Sequence, residues 1–332
     1  MARNEFELIA AFRERLPAPG WRVEVGSGDD AAVVRAGGAR QLVSVDTTVD
    51  GTHARLDLGD PIDAARAFGW RAITTAASDL AACGAPTGEA YVALTAPKDL
   101  PDDVLLAIAD GLGDAARELG LDVIGGDVTS GPTVIISTTV VGWLGEHEPP
   151  LTRSGARPGD LVGLTGPIGA AGAGLALTLA QVGADAVDDA TSRRLREAHL
   201  RPWARTDIGR PLRDAGATAA IDLSDGLLAD AGHIARASGV VLDFDPAAVP
   251  IADGVADVAA LLGAPSALVF AQAAGEDFEL LVTVPLDHAL VAEELGIAHW
   301  VGIVRAPEGE EQPGVVGLPA PADGRAGHDH RS

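Results

Sequence analysis

Acidic residues that stand beside glycines or at the ends of apolar runs are the features of this sequence best suited to chemistry. Asp30 closes a Gly-Asp-Asp group, Asp46 ends an apolar run, and Asp79 is the only charge in a long Ala/Leu-rich stretch. Each acid alone is also typical of a turn or a helix cap. The pattern recurs along the chain, at Asp127, Asp222, Asp225 and Glu276.

The Asp79 carboxylate needs a compensating partner if it is buried. An unpaired carboxylate in a packed helix costs several kcal/mol in desolvation, and few basic side chains lie near these acidic motifs in the sequence. Either Asp79 faces water or a cation compensates its charge. Several carboxylates that converge without basic partners indicate a bound metal ion. Because the ligands are hard oxygens and Cys83 is the only cysteine, the set favours Mg²⁺, with Ca²⁺ or Mn²⁺ as alternatives.

Magnesium sites would also explain how so acidic a chain binds a nucleotide. The net charge is −24 at pH 7, and Mg²⁺ held by carboxylates usually also holds phosphate oxygens. The turns predicted at 125–127 and 224–226 would let backbone N–H groups approach those oxygens. The glycines of 166–174 could do so at a helix N-terminus, although close strand–helix packing explains them better. His53 is either a surface or core histidine or a ligand of a substrate phosphate.

The composition excludes several classes of protein. The charge of −24 argues against nucleic acid and anionic membranes as partners. Lys98 is the only lysine and lies outside any GxxxxGK[ST] sequence, which excludes a P-loop NTPase. No Ser–His–Asp, HExxH or Cys–His pattern is visible, so we expect no covalent nucleophile. The single cysteine, the lack of a signal core and a longest uncharged run broken by glycines predict a cytoplasmic protein without a membrane span.

The elements that must position these acids alternate between strands and helices in both halves, which predicts an α/β or α+β protein. A polar, proline-broken stretch at 145–150 is the best linker, and we expect two domains, 1–146 and 147–332. The predicted strands are Ala31–Arg35, Gln41–Val45, Glu89–Thr95, Asp122–Gly125, Thr133–Trp143, Leu161–Thr165, Ala219–Leu223, Val240–Phe244, Glu279–Val284 and Trp300–Val304, and the main predicted helices are Pro61–Cys83, Pro101–Leu119, Ala170–Gln181, Ala204–Ala215, Leu227–Ala237 and Leu286–Leu295.

Eight short motifs occur in a fixed order with compatible spacing. They are 28–32 (GDDAA), 44–53 (SVDTTVDGTH), 78–85 (SDLAACGA), 125–127 (GGD), 152–160 (TRSGARPGD), 199–202 (HLRP), 221–228 (IDLSDGLL) and 275–281 (GEDFELL). Together they closely resemble the thiamine-monophosphate kinase family of the aminoimidazole ribonucleotide synthetase-like superfamily. The resemblance covers about residues 4–305.

This resemblance implies a two-domain fold of the aminoimidazole ribonucleotide synthetase type, whose N-terminal sheet pairs with its copy in a homodimer. It implies that the enzyme transfers the γ-phosphoryl group of ATP directly to thiamine monophosphate, assisted by several Mg²⁺ ions. Such a transfer needs positioning and charge neutralisation, and the acceptor phosphate is already ionised, so no strong general base is required.

The resemblance also implies a role for individual residues. The expected Mg²⁺ ligands are Asp30, Ser44, the backbone of Val45, Asp46, Asp79, Asp127, Asp222 and Asp225. The expected ATP contacts are Gly126, Asp127, Arg153 and Ser224. The expected acceptor contacts are His53, Glu276 and, in the tail, His328, which stands where the family has an aromatic residue that stacks on thiamine.

Two other hypotheses compete with this one. The first is another ATP-dependent member of the same superfamily that acts on a different acceptor. The second is a sensor of nucleotide or thiamine phosphate without catalysis. Turnover of ATP and thiamine monophosphate separates both from the kinase.

Overall fold

The structure is a computed structural model that describes residues 20–183, 185–297 and 299–320. His328 lies outside the described residues, so its expected contact with the acceptor stays a prediction. The described chain folds into two α/β halves, each built on its own six-stranded sheet. The predicted fold class is therefore confirmed.

The first sheet has the strand order β1-β2-β3-β6-β4-β5, and β4 and β5 are parallel neighbours at one edge. Its longest pairing joins β3 and β6, which run antiparallel over the whole of β3. The strands are β1 (Val23–Val25), β2 (Ala32–Ala36), β3 (Ala39–Val49), β4 (Thr87–Ala96), β5 (Asp122–Ser130) and β6 (Ile135–Gly145).

Two helices, α1 (Pro61–Ala82) and α2 (Asp102–Leu119), belong to this first half. The α1 helix begins where the sequence predicts, because the Asp60 side chain accepts hydrogen bonds from the backbone N–H groups of Ile62 and Asp63. The two helices cross at a pair of glycines. A Cβ on Gly69 would lie 2.1 Å from the Ile108 carbonyl oxygen, so only glycine allows this close approach.

The second sheet has the strand order β12-β9-β11-β7-β10-β8. Its strands are β7 (Leu161–Leu164), β8 (Ala219–Asp222), β9 (Val241–Phe244), β10 (Leu280–Val284), β11 (His299–Arg305) and β12 (Gly314–Val316). The helices of this half are α3 (Ala170–Thr178), α4 (Asp189–Leu200), α5 (Thr206–Asp214), α6 (Leu227–Ser238), α7 (Val255–Leu261), α8 (Ala267–Ala274) and α9 (Ala289–Glu294).

The α1 helix is shared by the two halves. Most of its residues are buried, and its C-terminal end packs into a core cluster with Leu212 and Leu280 of the second half. The Trp70 indole donates a hydrogen bond to the Pro202 carbonyl at 2.8 Å. Because α1 also carries Asp79, the element that joins the halves is the one that positions the central acid of the predicted site.

The elements predicted from alternation are largely confirmed, whereas β1, α4, α7, α8 and β12 were not predicted. One boundary differs in a way that matters for the site. The predicted strand ends at Gly125 and a turn follows, but β5 continues through Gly126 and Asp127 to Ser130. Among the described residues, no helix is long and apolar enough to cross a bilayer.

Candidate functional site

Three aspartates from distant parts of the chain meet between the two halves. Asp30 lies just before β2, Asp79 lies in the last turns of α1, and Asp222 ends β8. One carboxylate oxygen of each lies within 4.8 Å of the other two. We call these three residues the acidic cluster. Its convergence depends on the packing of α1 against both sheets.

Burial and mutual repulsion make the acidic cluster hold protons more tightly than free carboxylates do. Burial, with a contribution from Asp222, raises the pKa of Asp30 to about 7 even though Arg153 opposes the shift. Burial also raises the pKa of Asp222 to about 6. For Asp79, burial and the charges of Asp222 and Asp30 raise the pKa well above its ordinary value. The single positive charge of Arg153 therefore does not compensate the three carboxylates when all of them are ionised.

The donor set fits a hard divalent cation. Oδ2 of Asp30 is buried and has no hydrogen-bond partner among the described residues, although such atoms are almost always paired. Oxygen ligands from several carboxylates are typical of Mg²⁺ sites. Arg153 is the one cation that contacts Asp30 in the described part of the chain, and it occupies only Oδ1.

The β3 strand brings three more of the predicted ligands to this region. Ser44 is buried, and its hydroxyl donates a hydrogen bond to Oδ2 of Asp79. Asp46 lies close enough for its charge to raise the pKa of both Asp79 and Asp222. Val45 is 64% exposed, and because its side chain has no ligand atom, only its backbone carbonyl could contact a metal ion.

The turn that follows β8 supplies Ser224 and Asp225. A residue that the sequence analysis missed holds this turn: Asp230, in the first turn of α6, accepts hydrogen bonds from the backbone N–H groups of Asp225 and Gly226 at 3.2 and 3.0 Å. Burial and the charges of Asp225 and Asp222 raise the pKa of Asp230 well above its ordinary value. Its position four residues after Gly226 is the signal that could have revealed it, because a carboxylate there can reach back to the N-terminus of α6.

Two adjoining cavities open beside these acids. The smaller has a volume of about 320 Å³ and is lined by Asp46, Ser224, Asp225 and several threonines. The larger has a volume of about 510 Å³ and a mixed apolar and polar wall. The two share four lining residues, Thr52, His53, Leu175 and Glu276. The predicted acceptor contacts His53 and Glu276 thus lie where the cavities meet.

Glu276 has two charged or polar neighbours that the sequence analysis missed. Arg71 of α1 forms an ion pair with Oε1 of Glu276, and Nδ1 of His199 lies 3.8 Å from Oε2. Burial alone would raise the pKa of Glu276, but the opposing contributions, of which the charge of Arg71 is the largest, bring the pKa below its ordinary value. No periodicity reveals a buried arginine, so the sequence could not have indicated this partner.

The glycine-rich segment 166–174 serves packing. A Cβ on Gly174 would lie 1.9 Å from the Leu195 carbonyl oxygen of α4, so this glycine allows the two helices to touch. The N-terminus of α3 is already satisfied, because Asp277 accepts hydrogen bonds from Gly169 at 2.6 Å and from Ala171 at 3.2 Å. The sequence favours close strand–helix packing for these glycines, whereas the close contact at Gly174 is between two helices, α3 and α4.

Asp127 and Gly126 are not brought to the acidic cluster by their own chain. Both lie in β5, and both are exposed. The strands β6 and β4 stand between β5 and β3, the strand that carries Asp46. The expected turn at 125–127 is corrected to an edge strand, and Asp127 is not a member of the group of acids whose oxygens lie within 4.8 Å of one another.

Both halves match one family of known proteins. Residues 28–144 match the family AIR synthase related protein, N-terminal domain, and residues 157–307 match AIR synthase related protein, C-terminal domain. The fold and the site therefore define an AIR synthase related protein.

Individual relatives narrow this class. The chain is 39% identical over 287 residues to the thiamine-monophosphate kinase of Escherichia coli (strain K12), a match that covers 86% of this chain and 84% of the relative. It is 37% identical over 290 residues to that of Mycobacterium tuberculosis (strain H37Rv), covering 86% and 80%. The chain belongs to the thiamine-monophosphate kinase family.

A solved structure agrees with this assignment. The structure described as AaThiL complexed with AMPPCP and TMP superposes with a TM-score of 0.83, at 29% identity, and the match covers 99% of each chain.

Proposed function

We propose that this chain transfers the γ-phosphoryl group of ATP to thiamine monophosphate, giving thiamine diphosphate and ADP. The observation that carries the proposal is the acidic cluster with its unpartnered Asp30 Oδ2, placed beside two joined cavities. The relatives named thiamine-monophosphate kinase and the related complex with AMPPCP and TMP support the same reaction. The product belongs to thiamine diphosphate biosynthesis.

We propose Asp30, Asp79 and Asp222 as the central Mg²⁺ ligands. Ser44, the Val45 carbonyl, Asp46 and Asp225 are the further ligands proposed around them. When bound, Mg²⁺ would neutralise phosphate oxygens and stabilise charge on the transferred group. The raised pKa values of Asp30 and Asp222 support this role, because a cation in the cluster would remove the repulsion that causes part of the shifts.

The residues of the chain then have positioning roles. Thr47, Thr52, Thr75 and Ser224 line the smaller cavity, and hydroxyl-bearing side chains of this kind suit phosphate oxygens. The Thr75 hydroxyl is buried and lacks a hydrogen-bond partner among the described residues. No side chain need remove a proton, because the acceptor is an ionised phosphate oxygen that attacks the γ-phosphorus while ADP leaves. The chain therefore contributes alignment and electrostatics.

The two ligands meet across the shared wall of the cavities. Ser224 and Arg153 are proposed to contact ATP, because Arg153 offers a guanidinium next to the acidic cluster. His53 is proposed to contact the acceptor phosphate and Glu276 the remainder of the acceptor. His53 lines both cavities, so it lies between the proposed positions of acceptor and donor.

A homodimer is proposed together with a role for Asp127. The first sheet exposes apolar side chains on β3, β4 and β5, namely Val45, Tyr91, Val123, Ile124 and Val128, which is typical of a surface that another chain covers. Since Asp127 does not reach the cluster of its own chain, we propose that Gly126 and Asp127 complete the ATP site of a second copy. The domain division at 146/147 and a cytoplasmic location remain proposals.

A product assay tests the proposed function. The purified chain is incubated with ATP, Mg²⁺ and a panel of phosphorylated acceptors, and thiamine diphosphate is measured by chromatography. We expect thiamine diphosphate and ADP in equal amounts from thiamine monophosphate, and none after chelation of the metal. Phosphorylation of another acceptor alone would favour a different member of the superfamily. Stabilisation by Mg·ATP without any product would favour the sensor.

A further inference from the structure

Arg71 is a buried guanidinium that reaches from one half of the molecule into the other. It lies in α1 and is 2% exposed. Its Nη1 donates a hydrogen bond to the His199 carbonyl at 2.8 Å, and its Nη2 pairs with Glu276. One side chain thus contacts both of the residues that form the polar corner of the larger cavity.

Packing does not explain an arginine at this position. The neighbours of Arg71 in α1 are small or apolar residues in a tightly packed helix, and burying a guanidinium is costly unless it meets an anion in good geometry. An apolar side chain of similar volume would serve the core at least as well. The position of the charge therefore indicates a role in holding Glu276 and the end of α4.

Glu276 is held in an unusual backbone conformation. Its φ is +61°, and that of Phe278 is +51°. A positive φ costs conformational free energy in residues other than glycine. Such a conformation persists where contacts with the surrounding structure impose it. The backbone N–H of Glu276 donates to the Ser224 carbonyl at 2.8 Å, and the Arg71 ion pair fixes the carboxylate end.

His199 completes the corner as a neutral group. It is 4% exposed and lines the larger cavity. Burial and the charge of Arg71 lower its pKa to about 4, although Glu276 opposes the shift. Its Nδ1 has no hydrogen-bond partner among the described residues. A buried ring nitrogen without a partner, beside an anionic carboxylate, is suited to a ligand that brings both a cationic or amino-bearing edge and a hydrogen-bonding group.

The charge of this corner determines how the acceptor lies, an inference that rests on the proposed function. Metal ions held by Asp46 and Asp225 would attract the acceptor phosphate to the smaller cavity, whereas the Glu276 carboxylate, which is not a proposed metal ligand, repels it. The heterocyclic end then occupies the larger cavity, where its amino-bearing pyrimidine and cationic ring can meet Glu276.

We infer that Arg71 is a positioning residue for the heterocyclic end of the acceptor, acting by fixing the Glu276 carboxylate and the His199 imidazole against it. Loss of Arg71 then weakens acceptor recognition more than ATP recognition. A hydrogen bond to a charged partner corresponds to an effect of about 10- to 100-fold on binding.

Steady-state kinetics of Arg71→Met, with Arg71→Lys as the conservative variant, test the inference. We expect Arg71→Met to raise the KM for thiamine monophosphate about 30-fold, with the KM for Mg·ATP changed about twofold or less. Arg71→Lys should recover part of the loss, because lysine keeps the charge but not the forked geometry. Arg66→Met is the matched control: Arg66 lies in the same helix, is exposed and pairs with Asp110.

A second substrate provides a readout that a structural role would not change. The analogue that carries an oxo group in place of the pyrimidine amino group should be discriminated against by the unmodified chain and by Arg66→Met. In Arg71→Met, the ratio of kcat/KM for thiamine monophosphate to kcat/KM for the analogue should be at least fivefold smaller. Equal losses for ATP and acceptor, with unchanged discrimination, would mean a structural role and overturn the inference.

Folding is checked by the melting-temperature shift with Mg·ATP. If the melting temperature of Arg71→Met does not shift with Mg·ATP, the test uses His199→Leu instead. A rise of fivefold or more in its KM for thiamine monophosphate, with an unchanged KM for Mg·ATP, supports the inference. A smaller rise overturns it. Absence of thiamine diphosphate with the unmodified chain would instead overturn the proposed function, and the inference with it.

Discussion

Arg153 donates to the Asp30 carboxylate from both Nε and Nη2, at 3.0 and 2.5 Å, and both contacts end on the same oxygen, Oδ1. The other oxygen, Oδ2, is buried and unpartnered among the described residues. Asp29 reinforces the arrangement, because its carboxylate accepts from the Arg153 backbone N–H at 3.2 Å. The ion pair thus joins the first half to the segment after the linker and leaves one carboxylate oxygen available for a cation.

Replacing Arg153 by methionine should weaken ATP binding. The proposed contact between guanidinium and phosphate would be lost, and charge-assisted hydrogen bonds of this kind are among the strong ones. We expect the KM for Mg·ATP to rise roughly 10- to 100-fold, with a smaller effect on the acceptor. Arg157→Met is the matched control, because Arg157 lies in the same loop and is exposed. An unchanged KM for Mg·ATP in Arg153→Met would remove Arg153 from the ATP site.

Replacing Asp79 by asparagine should abolish turnover while leaving the chain folded. Burial and the charges of Asp222 and Asp30 raise the pKa of Asp79 well above its ordinary value. An amide at this position needs no proton uptake on folding of the metal-free protein, and it removes a metal ligand. We expect the turnover rate to fall at least 100-fold and the metal-free melting temperature to rise by roughly 2–4 °C for each kcal/mol gained. The exposed Asp110→Asn serves as the control. A normal turnover rate in Asp79→Asn would contradict the metal assignment.

The sequence predicts the main strands and helices of both halves, and also the type of site, because these depend on local patterns. Where it fails, the cause is identifiable. The α4 helix buries only Leu195 and His199, so it shows almost no apolar periodicity. The strand β5 contains Gly125 and Gly126, which are typical of turns, yet an edge strand tolerates them.

The site could be predicted only as far as its residues belong to recognisable motifs. Asp30, Asp79 and Asp222 are named by motif, and their convergence is a consequence of tertiary packing around α1. Arg71 belongs to no motif, and its partner Glu276 is about two hundred residues away. Such a contact follows from the way α1 lies against the loop before β10, which no local pattern specifies.

The stability of the metal-free chain should fall as the pH rises from 5.5 to 8. Burial raises the pKa of Asp30 and Asp277 to about 7 and that of Asp222 to about 6. Above pH ~4 the unfolded state has released these protons, whereas the folded state still holds them. Their contribution to the free energy of unfolding is therefore complete below pH ~4 and is lost as the pH rises past the pKa values of the folded state. We expect a loss on the order of a few kcal/mol.

Thermal denaturation in a chelating buffer, repeated with Mg²⁺, measures this effect. Mg²⁺ should reduce the dependence, because a cation in the cluster favours the ionised acids. Asp277→Asn separates the contribution of Asp277 from that of the acidic cluster. Because Asp277 caps α3 and is not a proposed metal ligand, this variant should lose only part of the dependence of the melting temperature on pH and should keep its response to Mg²⁺. A melting temperature that rises with pH in the metal-free chain would show that the acids are not buried together.

Mixing two inactive variants tests whether Asp127 acts on a second copy of the chain. In one chain, β6 and β4 separate β5 from β3, so Asp127 and Asp79 should belong to one site only across a dimer. Asp79→Asn and Asp127→Asn are each expected to be inactive. After joint unfolding and refolding, half of the dimers contain one chain of each variant. One of the two sites in such a dimer has both aspartates, so about a quarter of the unmodified activity should return.

Asp79→Asn mixed with Asp222→Asn is the matched control, because both acids belong to the cluster of a single chain and no mixed dimer contains an intact site. Sedimentation tests in parallel whether the unmodified chain is a dimer. Recovery in neither mixture, with dimers present, would mean that Asp127 serves its own chain, and normal activity of Asp127→Asn alone would mean that Asp127 has no role in the site.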